Sequence, residues 1–410
     1  MALKKISRTL KIIVRLKLHG KKSFLFGLNH IFLLMLSILF LTIAMGINSV
    51  SLPYILYQNQ VTNSLIGFST ASDFIGGIVM IFFLHRLNKK FGIFNSILFL
   101  SLIGAFVILL LPFYQNFILW FVLCFALGVS IISVITLRRA WLNIIISSKV
   151  RAMVTAVSSA VLCAGFTIGP VIVKLCGAGD YKVFIASSFF IISSALILLP
   201  IRKSEPKLTT PTKLKISALI KRNSKIMTVR FLTDLQCGTL MFFTVIYGLN
   251  SGLSAENSGL LISVFSSVGI FDFLIGFIVS GRSYQKLILL GFILMFFGIL
   301  ALPFAIKNYY LAVLVYVILG WVTSLIAICC WYGANLRKRK GQMVFINSTF
   351  MAVGLFGIFI GNLLVGIAMQ YFGKEGFIAV IAAASLLYFL FMFKNSKISF
   401  KLIFRTLNKT

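Results

Sequence analysis

Long apolar runs separated by short polar connections dominate the chain. Residues 91–137, 308–336 and 341–373 contain no Asp, Glu, Lys or Arg. About 20 apolar residues are enough for one helix to cross the hydrocarbon core of a bilayer. Because backbone polar groups in lipid must be satisfied within the segment, each run predicts a transmembrane helix. The alternating strands of a transmembrane barrel do not occur in the sequence.

The runs and their connections predict an all-α integral membrane fold with twelve spans. The expected spans are 30–54, 64–84, 93–113, 117–140, 153–174, 182–200, 226–248, 257–281, 287–306, 310–336, 343–370 and 376–393.

Composition agrees with a membrane protein. Of the 410 residues, 60% are hydrophobic and 11% are charged, whereas about 25% of the residues in a soluble globular protein are charged. The three His and six Cys residues are scattered and show no metal-type spacing. We therefore expect no metal, no cofactor and no catalytic residue.

The basic charge, a formal net +32, lies on one side of the predicted membrane. Alternate connections and both termini are rich in Lys and Arg, whereas the others hold only Lys174, Lys182, Lys307 and Lys374. Short loops rich in Lys and Arg stay cytoplasmic, so both termini are predicted to be cytoplasmic. The charge indicates topology and attraction to anionic lipids, and we expect no nucleic-acid partner.

Weak internal similarity divides the chain into halves. Gly67 recurs as Gly259, and "GFTIG" at 165–169 recurs as "GIFIG" at 357–361. Matches in the same order at a nearly constant offset favour two six-helix pseudo-repeats. The predicted division is a basic amphipathic cytoplasmic N-terminus (1–22), an N-terminal six-helix bundle (23–200), a basic cytoplasmic linker (201–225), a C-terminal six-helix bundle (226–394) and a basic cytoplasmic tail (395–410).

A basic segment between spans 2 and 3 connects this architecture to a known family. "RLNKKFG" at 86–92 resembles a looser form of the hinge signature of the major facilitator superfamily. Arg86, Lys90 and Gly92 occupy signature positions, but the signature aspartate is missing. Arg151 lies where the superfamily has a conserved Arg between spans 4 and 5.

Two further motifs extend the resemblance. Gly165, Gly169 and Pro170 are similar to the span-5 motif that is typical of proton-driven exporters. "AWLN" around Trp141 resembles a branch of bacterial permeases whose fourth span ends in Glu-x-Trp-Leu-Asn, and Arg139 stands at the glutamate position. Another antiporter hallmark, an Arg four residues before the span-4 Gly, is absent.

The resemblance implies two bundles that rock about a midplane site, and it implies roles for the motif residues. Arg86 and Arg151 would latch the outward-facing state, although their charge alone could simply hold the loops inside. Gly92 allows a sharp turn into span 3. Gly165 and Gly169 suit close helix packing as well as a bend in the cavity wall at Pro170.

Three acidic residues, Asp73, Asp234 and Asp272, fall within spans. An ionisable residue near the bilayer midplane usually faces a wet cavity or a partner. Arg230 lies four residues before Asp234 on the same helix and can neutralise it. Asp272 has no basic residue within one helical turn in the sequence, so it is the preferred candidate for proton coupling.

Arg138 and Arg139 lie near the end of span 4, and two interpretations stay open. Their guanidinium groups could bind an anionic substrate, or they could extend to the membrane interface.

The sequence therefore predicts a secondary active transporter that moves a small solute across a bacterial inner membrane by alternating access. It is expected to function as a monomer and not as an enzyme. Proton coupling and proton-independent facilitation are both open. A membrane-embedded enzyme acting on lipid is the alternative class, but it would need a cluster of catalytic residues near an interface. The substrate and the direction of transport are not specified by the sequence.

The charge asymmetry gives a testable topology. Single Cys residues at Asn59 and Ser254 in a Cys-free background should react with membrane-impermeant maleimide from outside the cell. Cys at Thr210 and Lys340 should react only after the membrane is made permeable, because their segments are strongly basic. Labelling of Thr210→Cys in intact cells would reverse the orientation.

Overall fold

The computed structural model describes residues 21–113, 116–146, 151–206, 223–272, 275, 279, 284–335 and 340–395. The described residues form helices and connections, with no strand among them. Most of the basic N-terminus, the central part of the linker and the C-terminal tail lie outside these ranges, so their predicted forms stay predictions.

Twelve α-helices follow one another in the described chain. They are α1 (Lys21–Gln58), α2 (Asn63–Phe91), α3 (Ile93–Leu110), α4 (Phe117–Ile145), α5 (Arg151–Cys176), α6 (Tyr181–Leu196), α7 (Ser224–Leu249), α8 (Ala255–Ser267), α9 (Tyr284–Ala305), α10 (Tyr309–Asn335), α11 (Lys340–Phe372) and α12 (Glu375–Asn395). Short 3₁₀ segments lie at Leu111–Phe113, Leu199–Ser204 and Val268–Phe271.

The prediction of an all-α membrane fold is confirmed. Eleven helices among the described residues are long and apolar enough to cross a membrane, and the segment Ala255–Phe271 is a shorter apolar one. Several helices continue past the predicted span ends, and α2 runs through the basic segment to Phe91. Polar residues end a hydrophobic run, but they do not end a helix whose backbone hydrogen bonds can continue into the headgroup region.

Connections between successive helices lie at two faces of the molecule. The face that carries the turn at Gly92 and the residues Arg202–Pro206 is here called the basic face. The face that carries the connections after α1, α5, α7, α9 and α11 is called the lysine-poor face.

The pattern of helix packing repeats after six helices. In the first bundle (α1–α6), α1 packs on α5 and α6, and α4 packs on α2 and α3. In the second bundle (α7–α12), α7 packs on α11 and α12, and α10 packs on α8 and α9. Between the bundles, α2 packs on α11 and α5 on α8. A shift of six helices converts each of these contacts into its counterpart, so the two bundles face each other with pseudo-twofold symmetry.

Glycines allow the closest helix crossings within each bundle. A Cβ atom on Gly169 would lie 2.6 Å from the backbone of Gly46 on α1, and one on Gly165 would overlap the Thr42 side chain. In the second bundle, a Cβ on Gly361 would lie 2.6 Å from the carbonyl oxygen of Leu235 on α7. The repeated glycine motifs therefore have equivalent neighbours, α1 for α5 and α7 for α11.

The two bundles meet closely toward the lysine-poor face. A Cβ on Gly67 of α2 would lie 2.9 Å from the Cα of Gly366 on α11. The Tyr57 hydroxyl at the end of α1 donates to the Asn250 side-chain oxygen after α7, at 2.8 Å. The structure is therefore closed between the bundles at this face.

Gly169→Ala should lower the thermal stability of the purified protein, because the new methyl group would meet backbone atoms that cannot rotate away. Overpacking of this kind costs about 1–3 kcal/mol. Gly298→Ala is the matched control, since its Cβ would meet only the end of the Leu319 side chain, 3.0 Å away. Alanine is the better helix former by about 1 kcal/mol, so the control should keep or raise the melting temperature. Equal melting temperatures for the two variants would contradict the tight crossing.

Candidate functional site

Charged residues from both bundles gather where the bundles meet. Arg139 on α4 lies within electrostatic range of Arg230 on α7 and of Cys163 on α5. Cys163 also lies close enough to Asp272, which follows α8, for an electrostatic interaction. With Asp234, the ion-pair partner of Arg230, these residues form what we call the central cluster.

Arg230 and Asp234 form an ion pair one turn apart on α7. Arg230 Nη2 lies 2.5 Å from Asp234 Oδ2, and the side chains are only 16% and 9% exposed. A Cβ atom on Gly354 of α11 would overlap Asp234 Oδ2. The spacing predicts the pair, but Gly354, which makes room for it, lies more than one hundred residues away and carries no local signal.

Aromatic rings hold the Arg230 guanidinium in place. Its central carbon lies 5.8 Å from the ring centroid of Trp331 on α10 and 5.3 Å from that of Phe350 on α11. The two rings are themselves in edge contact, with centroids 4.8 Å apart. Cations are attracted to aromatic faces at such distances, so three helices of the second bundle fix the position of this charge.

Arg139 reaches across from the first bundle to the second. Its Nη1 donates to the Met351 sulfur on α11 at 3.6 Å, and the side chain is half-buried. A thioether sulfur is only a weak acceptor. The ion pairs among the described residues are Arg230–Asp234 and Lys182–Asp180. In this part of the chain Arg139 therefore has no acidic partner.

Arg138, one residue earlier, lies inside the first bundle. It is completely buried, and its Nη2 donates to Ser194 Oγ on α6 at 2.8 Å. Its Nε and Nη1 are sealed from solvent without a hydrogen-bond partner in the structure. Successive residues of an α-helix point about 100° apart, so the structure brings Arg139 to the central cluster and directs Arg138 toward α6.

Asp272 lies directly after an irregular turn. The helix tightens to 3₁₀ form over Val268–Phe271, a distortion that often marks a hinge when it occurs within a helix. The Ser324 hydroxyl of α10 hydrogen-bonds the Asp272 carboxyl group, while Oδ1 is buried without a partner. A Cβ on Gly269 would overlap the Cys163 sulfur, so this turn is pressed against α5.

Asp73 lies apart from the central cluster, in a small cavity between helices of the first bundle and α7. The cavity volume is about 20 Å³, which is room for about one water molecule. Its lining includes Asn48, Ser69, Thr70, Cys124 and Phe242. Asp73 Oδ1 is buried without a hydrogen-bond partner.

The turn between α2 and α3 contains a contact that the sequence did not reveal. Gly92 has φ 81° and ψ 169°, a conformation that is essentially restricted to glycine. Glu205, at the beginning of the linker, accepts a hydrogen bond from the Phe94 backbone N–H at 2.7 Å. A carboxylate is favourable at a helix N-terminus, so Glu205 provides an acidic group at a turn that lacks the signature aspartate.

The other predicted gating residues have separate surroundings. Arg86 and Lys90 are exposed, and their charged ends lie over the rings of Phe83 and Phe91. Arg151 begins α5, but its side chain lies outside the described residues, so the latch stays a prediction. Pro170 on α5 lies beside Gly259 of α8, where the bundles meet; a Cβ on Gly259 would lie 3.7 Å from it.

Comparisons with solved structures show one fold. The nucleoside transporter NupG matches with a TM-score of 0.72 at 15% identity over 89% of this chain and 98% of that chain. A second match is a bacterial homologue of the human lysosomal transporter Spinster in an inward-facing and unoccupied conformation. Its TM-score is 0.72 at 12% identity, over 89% of this chain and 96% of that chain. A D-xylose–proton symporter matches with a TM-score of 0.67 at 13% identity over 89% of this chain and 97% of that chain.

A family model matches most of the chain. A search of curated protein sequences gives no match. The model described as Major Facilitator Superfamily, however, matches residues 34–356. The bundle pairing, the central cluster and this match agree, and the chain belongs to the major facilitator superfamily of membrane transporters.

Proposed function

We propose that this multi-pass membrane transporter is a secondary active transporter that moves a small solute by alternating access. The observation that carries the proposal is the central cluster, where Arg139, Arg230, Asp234 and Asp272 stand at the contact between two bundles. Charges are costly within a membrane protein and usually mark a wet pathway. The bundles, with proposed boundaries 23–200 and 226–394, would rock about this cluster.

The orientation follows from the distribution of charge. Lys and Arg concentrate in connections on the basic face, which supports a cytoplasmic position for that face and for both termini in a bacterial inner membrane. The contacts between Gly67 and Gly366 and between Tyr57 and Asn250 then close the outside. In this arrangement the described conformation would load or release solute on the cytoplasmic side. The basic termini and linker would contact anionic lipids, and one chain would be sufficient for transport.

Asp272 is proposed as the proton carrier. Within the described part of the chain its carboxyl group has a hydroxyl partner, Ser324, and no ion-pair partner. Asp234, in contrast, is held by Arg230. A carboxyl group without a cation can gain or lose a proton as its access to water changes, whereas a paired carboxylate must first separate from its partner. The 3₁₀ turn before Asp272 provides a segment whose rearrangement would change that access.

Asp272→Asn should abolish solute accumulation driven by a pH gradient in proteoliposomes, because the amide cannot carry the proton. Exchange of labelled for unlabelled solute should persist, since exchange needs no net proton movement. The solute would first be identified by a thermal-shift screen of the purified protein. Accumulation at the wild-type level would rule out Asp272 as the carrier and favour another coupling group. Loss of exchange as well would assign Asp272 to solute binding or folding. If the wild type shows no accumulation in response to the pH gradient, the protein is a facilitator.

Gly92→Val should lower the rate of transport, because valine cannot adopt the backbone conformation of the α2–α3 turn and its side chain would displace Glu205. Gly252→Val is the matched control. Gly252 also has a positive φ, 88°, but nothing lies within 4 Å of its Cβ position in the α7–α8 connection. Both variants should lose some stability from backbone strain, about 1–3 kcal/mol. Only Gly92→Val should reduce the initial rate of transport per folded molecule. Equal transport rates for the two variants would show that the turn connects α2 and α3 without affecting transport.

A further inference from the structure

Among the described residues, the charges of the central cluster are unequally satisfied. Arg230 is neutralised by Asp234 and stacked on two aromatic rings. Arg139 has one weak bond, to the Met351 sulfur. A guanidinium group carries five N–H donors, so most of the donors of Arg139 are available to another acceptor.

The surroundings of Arg139 differ from those of its neighbour on α4. Arg138 is completely buried, with sealed nitrogen atoms that a solute cannot reach. Arg139 is half-buried, and its contact with Met351 places it between the bundles. It therefore meets two conditions for a binding group, access and unused hydrogen-bonding capacity.

A second cation, Arg230, lies near Arg139. It lies within electrostatic range of Arg139, and the two like charges repel. Asp234 offsets the charge of Arg230, but no described acidic group pairs with Arg139. An anion bound beside Arg139 would neutralise the unpaired charge, and a planar guanidinium can bind a carboxylate or phosphate with two parallel hydrogen bonds.

We propose that Arg139 binds an oxyanion group of the transported solute, so that the solute is a small organic anion bearing a carboxylate or a phosphate. This inference rests on the proposed transport function and names its substrate class.

The same geometry explains how a proton would favour the anion. Cys163 lies within electrostatic range of both Arg139 and Asp272, so the two charged groups share one region. While Asp272 is ionised, its negative charge opposes entry of an anion. One proton on Asp272 removes that charge, and the anion then meets the positive charge of Arg139 alone. Proton and anion would bind together without a direct bond between them.

The test uses the purified full-length protein and a panel of matched triads. In each triad one carbon skeleton carries a carboxylate, the corresponding amide or the corresponding primary amine; a phosphate ester of each skeleton is added. Ligand-induced stabilisation in a thermal-shift titration gives the apparent affinity. The variants are Arg139→Gln, Arg139→Lys and, as a matched loss of charge far from the cluster, Lys307→Gln.

Anionic members should stabilise the wild type and Lys307→Gln alike, with tighter binding at lower pH as long as the ligand itself stays ionised. Arg139→Gln should weaken that binding at least tenfold. Arg139→Lys should retain part of it, because lysine keeps the charge but lacks the planar fork. Asp272→Asn should remove the pH dependence. Comparison of carboxylates with phosphate esters then identifies the preferred oxyanion.

Stabilisation by amides or amines that is unchanged in Arg139→Gln would overturn the anion site while leaving the transport function intact. Anion binding unchanged in Arg139→Gln would overturn it as well. Arg139→Gln could lower the melting temperature of the unliganded protein. In that case the anion binding of Arg139→Lys decides: weakened but retained binding supports the site, and binding equal to that of the wild type overturns it. Absence of binding by every class, together with absence of uptake into proteoliposomes, would count against the transport function itself.

Discussion

Lipid provides no hydrogen-bond partner for a peptide group and no hydrophobic force that brings two helices together, and the structure depends on that constraint. Each span must be a helix, and the helices must gain contact by close approach of their backbones. Small residues make this possible: a Cβ on Gly169 would meet the backbone of Gly46, and one on Gly128 would overlap the backbone of Asp73. These crossings set the positions of α1 against α5 and of α2 against α4.

The buried charges of the two bundles have very different numbers of partners. Arg230 has a carboxylate, two aromatic rings and a glycine-lined space on α11. Removing one partner from such a pair leaves an uncompensated buried charge, which costs about 3–5 kcal/mol. The first bundle contributes Arg139, whose described partner is a sulfur atom. The Arg230–Asp234 pair is therefore neutral in itself, whereas Arg139 gains a charged partner only when a further acceptor arrives.

Apolar runs are enough to predict the membrane helices, because length and hydrophobicity are local properties. They do not predict which side of a helix faces which neighbour. Helices that are apolar on all sides give little information about rotation, so Arg138 and Arg139 look equivalent in the sequence although only Arg139 lies between the bundles. Gly354 and Glu205 act on residues far away in the chain, and local patterns cannot show such pairings. The 3₁₀ turn before Asp272 also has no local signal, since neither proline nor a charged residue precedes it there.

The contact of Gly67 with Gly366 has a mechanical consequence. The two backbones meet there directly, because a Cβ on either glycine would meet backbone atoms of the other helix. Asn63 of α2 adds hydrogen bonds to the Gln370 side chain and the Met369 carbonyl oxygen of α11, so any rotation of one bundle against the other must pivot at this crossing or break it. Inside the second bundle, the ion pair of α7 lies against Gly354 of α11, and the Arg230 guanidinium lies over the Phe350 ring of the same helix. A rotation of the second bundle about the Gly67–Gly366 crossing would therefore carry the Arg230 charge with it.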